Sequence, residues 1–118
     1  MGIVKVRAQN RITISKSIIK FLNMDDTKHV YIVVHDSETF FIKKQLNESD
    51  KKSFFIGPRS IHKYFSKKSF VSYCIVIPAA LTREEILGIK TGDYVRVYVE
   101  NEDIVVTTRF LKNPKKGE

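Results

Sequence analysis

The sequence of 118 residues has little of several residue types: one cysteine, three prolines, five glycines and no tryptophan. A single cysteine excludes an intrachain disulfide and a metal site with several thiolate ligands. The dispersed glycines form no phosphate-binding loop, and no apolar run approaches the roughly 20 residues of a membrane helix. Since the first residues also lack the apolar core of a signal peptide, we expect a soluble cytoplasmic protein with no membrane partner.

The residues that most often carry catalysis or bind metals are few and scattered. His29, His35 and His62 lack the close spacing of metal ligands. Cys74 lies in an apolar run and is predicted to be a small buried hydrophobic residue. Residues 25–26, two aspartates, follow the end of a predicted helix and are typical of a turn. We therefore expect neither an enzyme nor a bound metal or other cofactor.

Positive charge is in excess and is concentrated in separate segments, giving a formal net charge of +8. Residues 1–24 hold five basic residues and no acidic one, and residues 51–69 hold six basic residues and no acidic one. Residues 25–50 and 70–108 are each net negative, and the tail 109–118 is again basic. A single charged run is usually a solvated surface, but two acid-free segments favour an acidic partner such as nucleic acid.

Two stretches, beginning at Arg11 and at Cys74, repeat the same order of predicted elements. Each has an alternating β segment, a short helix, a polar turn, and two further β runs joined by an acidic turn. Equivalent positions lie 63 to 65 residues apart. Because a unit of about 40 residues rarely folds alone, we predict two halves that share one core.

The two predicted helices carry recognisable start and stop signals. The candidate start residues are Ser15 or Ser17 in the first half and Pro78 in the second, where Thr82 and Glu85 have capping-box spacing. Each helix is followed by a residue type that tolerates a left-handed backbone, and these residues are Asn23 and Gly88.

A basic connecting segment rich in aromatic residues, 47–69, separates the halves. Its pattern predicts a short strand over Ser53–Ile56, a turn at Gly57-Pro58 and a short helix from about Arg59 to Phe65, because the apolar residues there have helical spacing. The aromatic side chains are expected to cover the core.

The order of these motifs resembles the AbrB/MazE/SpoVT-like DNA-binding domain. In the first half the resemblance rests on Asn10–Lys16 and Leu22–Met24, and in the second on Ile77-Pro78, Leu87–Ile89 and Thr91–Asp93. The family pattern has a basic entrance, a Leu-Gly pair, a Gly-Asp pair and an alternating hairpin. Two copies in one chain are similar to the MraZ-like arrangement.

The resemblance implies a mainly β fold with short helices, namely a swapped-hairpin β-barrel formed by two pseudo-symmetric halves. The halves would span residues 1–46 and 70–110, with the connecting segment 47–69 between them and a basic tail over 111–118. It also implies a nucleoid-associated transcription regulator that binds double-stranded DNA and forms a homodimer or a higher homo-oligomer.

The two halves depart from the family pattern in different ways. Asn10, Ser15 and Thr27 stand where the family prefers Gly, Pro and Gly, whereas Tyr73 and Cys74 stand where Gly and Arg would be. The second half therefore lacks the basic entrance, and the first half is expected to make the main DNA contacts.

Alternation predicts a strand from Val4 to Ala8 that pairs with the strand after the turn, with Ile12 and Ile14 pointing inward. Arg7 and Arg11 are expected to lie closest to DNA, because a guanidinium can donate two hydrogen bonds to guanine or phosphate. The predicted DNA-binding residues are Lys5, Arg7, Gln9, Asn10, Arg11, Thr13, Lys16 and Lys20, with secondary phosphate contacts from Arg59, Lys63, Lys67 and Lys68.

Two other functions fit the same sequence. The first is an antitoxin-like or other protein-interaction module that uses the barrel mainly to dimerise and has weak or no DNA specificity. The second is an RNA or single-strand binder that uses the basic and aromatic residues of 51–69, since bases stack on aromatic side chains.

Overall fold

The computed structural model describes residues 2–24, 26–66, 69–109 and 111. Within them, eight strands and two short α-helices form in regions whose apolar residues alternate or recur at helical spacing. The strands are β1 (Gly2–Lys5), β2 (Arg11–Ile14), β3 (His29–Val34), β4 (Thr39–Lys43), β5 (Phe55–Ser66), β6 (Ser69–Val76), β7 (Tyr94–Glu100) and β8 (Asp103–Thr107). The α-helices are α1 (Lys16–Phe21) and α2 (Glu48–Lys51), and 3-10 turns cover Ala8–Asn10 and Ala79–Thr82.

All neighbouring strands are antiparallel, in the order β1-β7-β8-β4-β3-β5-β6-β2. A bridge between Arg7 and Arg11 brings the two edge strands together, so the sheet forms a nearly closed barrel. The prediction of a mainly β barrel with short helices is confirmed. Among the described residues, no helix has both the length and the apolar character needed to cross a bilayer.

Apolar side chains from both halves of the chain pack into one core inside the barrel. Ile12 and Ile14 are fully buried, as the alternation of their strand predicts, and Phe40 is the largest side chain that is completely buried. Because neither half encloses these residues by itself, each depends on the other for burial.

Two strand pairs are centred on residues that are equivalent in the sequence repeat. In the β2–β6 pair Ile12 lies opposite Ile75, 63 residues later. In the β4–β8 pair Phe41 lies opposite Val105, 64 residues later. An antiparallel pair has this register when a two-fold axis passes through its centre.

The N-terminal strand pairs differently from the prediction. The strand ends at Lys5 and pairs with β7, and only the Arg7–Arg11 bridge connects it to β2. The predicted continuation to Ala8 is wrong because the chain turns at Gln9 and Asn10, whose φ angles of 64° and 57° are left-handed.

The first predicted helix is confirmed, including its boundaries. The hydroxyl of Ser15 accepts a hydrogen bond from the Ile18 N–H at 3.4 Å and thereby caps the start of α1. After the helix, Asn23 has a φ of 54°, and its counterpart Gly88 has a φ of 66°. Both residues therefore adopt the left-handed backbone that their types favour.

The predicted capping box of the second half does not form. Pro78 is followed only by the 3-10 turn Ala79–Thr82, and Arg83 already has an extended backbone. The Thr82 hydroxyl donates to the carbonyl oxygen of Ala79 at 2.6 Å. This bond holds the hydroxyl at the end of the 3-10 turn, whereas a capping box needs it at the start of an α-helix.

The predicted helix from Arg59 to Phe65 is wrong, because this stretch belongs to β5. The strand pairs first with β3 and then with β6, and these ladders satisfy its backbone groups. The short helix of the connecting segment is α2 instead, and it begins with a capping box formed by Asn47 and Asp50.

Gly57 lies inside β5 rather than in the predicted turn. The ladder with β3 has a bulge around Tyr31, whose side chain lies against the glycine. A Cβ at position 57 would be 2.5 Å from Cδ1 of Tyr31. The missing side chain therefore permits the close approach of the two strands.

Candidate nucleic-acid interface

The first-half arginines lie opposite each other across a tight turn. The N–H of Arg7 donates to the carbonyl of Arg11 at 2.7 Å, and the N–H of Arg11 donates back at 3.3 Å. Only Ala8–Asn10 separate the two residues. We call residues 7–11 the basic turn.

The second half holds the basic turn in place. The Thr91 hydroxyl lies 2.9 Å from the Asn10 side-chain oxygen and 3.3 Å from the Arg7 carbonyl, and donates to both. Beside it, the Val6 N–H donates to the Asp93 carbonyl at 2.7 Å. Thr91 was not among the predicted site residues. The polar turn 90–93 was visible in the sequence, but its contact with a residue more than 80 positions earlier was not.

The side chain of Arg11 is exposed and points away from the core. Its Nε donates to the Ala8 carbonyl at 3.2 Å, which fixes the direction of the guanidinium. No carboxylate within the described ranges comes within 4.0 Å of this guanidinium to form an ion pair. Its positive charge is therefore available to an external anion.

The outer face of the sheet continues the basic turn as a polar surface. Thr13 lies opposite Cys74, and Cys74 lies opposite His62, so the three residues form a row across β2, β6 and β5. The residues next to them in the strands, Ile12 and Ile75, are fully buried, so the row faces outward.

Cys74 is half-buried on this outer face rather than fully buried as predicted. Burial raises the pKa of its thiol, while the nearby positive charges of Arg11 and Arg7 act in the opposite direction. The influence of both guanidinium groups indicates that the thiol and the two arginines lie in one neighbourhood. Substitution of Arg by Cys at this position thus places a small neutral side chain beside the first-half arginines.

The remaining predicted residues are distributed around this neighbourhood. Lys5 ends β1, and its ammonium nitrogen is 6.0 Å from the ring centre of Tyr94. Lys16 and Lys20 are exposed on α1, which follows β2 directly. Gln9 and Asn10 lie within the basic turn, together with the two arginines.

The secondary contact residues lie along β5. Arg59 is exposed in the part of β5 that pairs with β3, opposite Val30. Lys63 is in the part that pairs with β6, opposite Tyr73. Lys67 and Lys68 lie outside the described residues, so their predicted role is not addressed by the structure.

A second charged region has a different composition. The ammonium of Lys43 lies 2.9 Å from Asp50 and 3.4 Å from Asp103, and we call these three residues the Lys43 cluster. Burial alone would raise the pKa of Asp50, but hydrogen bonds from the Asn47 N–H and from Lys43 hold it below its ordinary value. Here each positive charge is matched by carboxylates of the same chain.

Arg109 repeats this pattern on the other hairpin turn. Its guanidinium lies 2.6 Å from Asp36 and 3.5 Å from Glu38. The acidic turn between β3 and β4 is thus neutralised by a base at the end of β8. Positive charge without matching carboxylates is left at Arg11, on the other strands.

Within the described parts of the chain, no group of three or more His, Cys, Asp and Glu residues could hold a metal ion. No protein-family model matches the chain, and no curated protein or solved structure matches it. The functional argument therefore depends on the geometry and charge of the basic turn.

Proposed function

We propose that the protein is a transcription regulator that binds double-stranded DNA through the basic turn and the adjoining outer face of β2, β5 and β6. The observation that carries the proposal is the pairing of Arg7 with Arg11 across a three-residue turn. Residues paired in this way have Cα atoms about 5.5 Å apart, which is one to two base-pair steps of ~3.4 Å. Two guanidinium groups at that spacing match neighbouring phosphates or base edges.

The charge of the first half supports the same ligand. Residues 1–24 contain five basic residues and no acidic one, and Arg11 has no carboxylate partner in the described structure. The proposed function is binding alone, without catalysis or a cofactor. Lys5, Lys16 and Lys20 would contact the phosphate backbone and set the orientation of the protein.

We also infer that the barrel is built from two pseudo-symmetric, swapped hairpins of the AbrB-like kind. The equivalent residues at the centres of the β2–β6 and β4–β8 pairs support this inference. So do two matching hydrogen bonds, from Val6 to Asp93 and from Ile61 to Lys28. The strand that leads each half pairs with the hairpin of the other half, β1 with β7 and β5 with β3.

A competition titration tests the proposed function. Labelled duplex DNA would be bound by the wild-type protein and then challenged with unlabelled duplex or with single strands of the same sequence. We expect the duplex to compete better, and we expect affinity to fall steeply between about 50 mM and 200 mM salt. Better competition by the single strands would favour the RNA or single-strand binder, and absence of binding would contradict both.

An exposed aromatic residue favours the protein-interaction function as a second candidate. Phe21, at the end of α1, is 74% exposed and lines a shallow groove with Ile18 and Val99. A self-association surface here would join two barrels and bring two basic turns into one assembly. Light scattering on the wild type and on Phe21→Ser tests it, because a dimer that becomes a monomer in the variant supports the surface and an unchanged mass contradicts it.

A further inference from the structure

The second half has a counterpart of the basic turn, but with a very different length. Cys74 is the repeat equivalent of Arg11, and it pairs with His62 as Arg11 pairs with Arg7. In the first half a three-residue turn joins the paired residues. In the second half residues 63–73 lie between them, and β5 and β6 continue to pair through most of this length.

The extra length forms a two-stranded extension of the sheet. The last pair that β2 makes with β6 is Ile14 with Tyr73, and the pairing of β5 with β3 ends at Ser60. Beyond these points β5 and β6 pair with each other as far as Ser66 and Ser69. We call residues 63–66 and 69–72 the ribbon.

The ribbon is long enough to reach into a DNA groove. Its paired residues extend about 10 Å at ~3.3 Å per residue, whereas the major groove of DNA is about 8.5 Å deep and admits a two-stranded ribbon. The sequence from 63 to 72 contains three lysines and no acidic residue. Length and charge therefore fit the major groove.

The ribbon and the basic turn leave the sheet at opposite ends of one strand pair. In the antiparallel β2–β6 pair, Arg11 lies at one end, opposite Val76, and Ile14 lies at the other, opposite Tyr73. The centre between them is the Ile12–Ile75 pair. Two DNA-facing features thus flank the centre, as in a two-fold arrangement, but they differ in size and in side chains.

We propose that one chain binds an asymmetric DNA site, in which the basic turn contacts one half and the ribbon enters the major groove of the other half. The inference rests on the proposed function, because it assigns the second half-site of the same DNA-binding face. One chain then combines a short reader and a long reader, and its site has no two-fold symmetry.

Trimming the ribbon tests this inference. Replacement of residues 65–71 by Asn-Gly joins Tyr64 to Ser72, which are paired neighbours, through a two-residue hairpin turn. Tyr73, which is buried, and Cys74 stay in their strand. The probe is a duplex of about three helical turns, ~31 bp, selected from a random library with the wild-type protein.

Hydroxyl-radical footprinting on this duplex gives the readout. We expect the wild type to protect two stretches of unequal extent and the trimmed protein to lose one while keeping the other. Because two lysines are removed, the slope of log affinity against log salt should fall by about 2. An unchanged footprint and slope would overturn the ribbon's role while leaving the proposed function intact, whereas absence of wild-type binding would overturn both.

A length-preserving variant covers the case in which the trimmed protein does not fold. Lys67→Ala/Lys68→Ala keeps the ribbon and removes the same two charges. Its control, Lys51→Ala/Lys52→Ala, removes two exposed charges from the end of α2. We expect the salt slope to fall by about 2 for the first variant and to stay constant for the control; equal slopes for the two variants would overturn the inference.

Discussion

The basic turn and the Lys43 cluster both place positive charge on the barrel, but the surroundings of that charge differ. The Lys43 ammonium is matched by Asp50 and Asp103, and its side chain is 11% exposed. Arg11 is exposed and has no carboxylate partner among the described residues. The comparison indicates that a positive charge enclosed by its own acids stabilises the fold, whereas one without acids is available to a ligand.

The largest expected effect comes from Lys43→Met, which would leave two carboxylates without their partner. Removing one member of a buried ion pair costs about 3–5 kcal/mol, and Asp50 is 8% exposed. We expect the free energy of unfolding in urea to fall by about that amount, while the folded fraction keeps its DNA affinity. A variant as stable as the wild type, or one that is fully folded but no longer binds, would break the comparison.

Arg11→Ala should have the opposite signature. Loss of one guanidinium contact should weaken duplex binding by about 1–3 kcal/mol, while the free energy of unfolding changes by less than about 0.5 kcal/mol because the side chain is exposed. Fluorescence anisotropy and urea unfolding measure the two quantities. Arg11→Lys is the matched control, since it keeps the charge but not the forked geometry, and should bind with intermediate affinity.

The acidic members of the Lys43 cluster predict a pH dependence of stability. Since the pKa of Asp50 is held below its ordinary 3.8, its contribution is present above that value and is lost as the pH falls through the folded pKa. Burial raises the pKa of Asp103, so its contribution has the reverse sign and is lost as the pH rises. Urea unfolding from neutral pH to about pH 3 should give a flatter acid limb for Asp50→Asn than for the wild type. An acid limb as steep as that of the wild type would contradict the assignment.

The smallest expected effect is that of Thr91→Val, which removes two hydrogen bonds from the basic turn but no charge. Net contributions near 1 kcal/mol per hydrogen bond suggest a loss of affinity of several fold, with an unchanged salt slope. Binding isotherms at several salt concentrations would separate this positioning effect from a lost phosphate contact. A lower slope would show that Thr91 acts in some other way.

Much of the barrel follows from local patterns in the sequence. The alternation around Ile12 predicts its burial, because successive side chains of a strand point to opposite faces. Ser15 and Asn23 predict the ends of α1, because caps depend on the chemistry of single residues. These features need no knowledge of distant residues.

Other features depend on contacts between distant parts of the chain. Residues 59–65 have apolar spacing that fits a helix, but pairing with β3 and β6 makes them a strand. The hydroxyl of Thr91 lies beside Asn10 only because the two halves interlock. Asp50 likewise meets Asp103 at Lys43 after the hairpins have packed. Single-sequence patterns do not carry such pairings, so the sequence predicted the elements better than their partners.

The most direct test of the account is the salt dependence of duplex binding by Arg7→Ala/Arg11→Ala, compared with Lys51→Ala/Lys52→Ala. Both variants remove two positive charges, but only the first removes them from the basic turn. We predict that the salt slope of the first variant falls by about 2 and its affinity drops sharply, while the second variant behaves like the wild type. Wild-type affinity and slope in the arginine variant would contradict DNA binding through the basic turn.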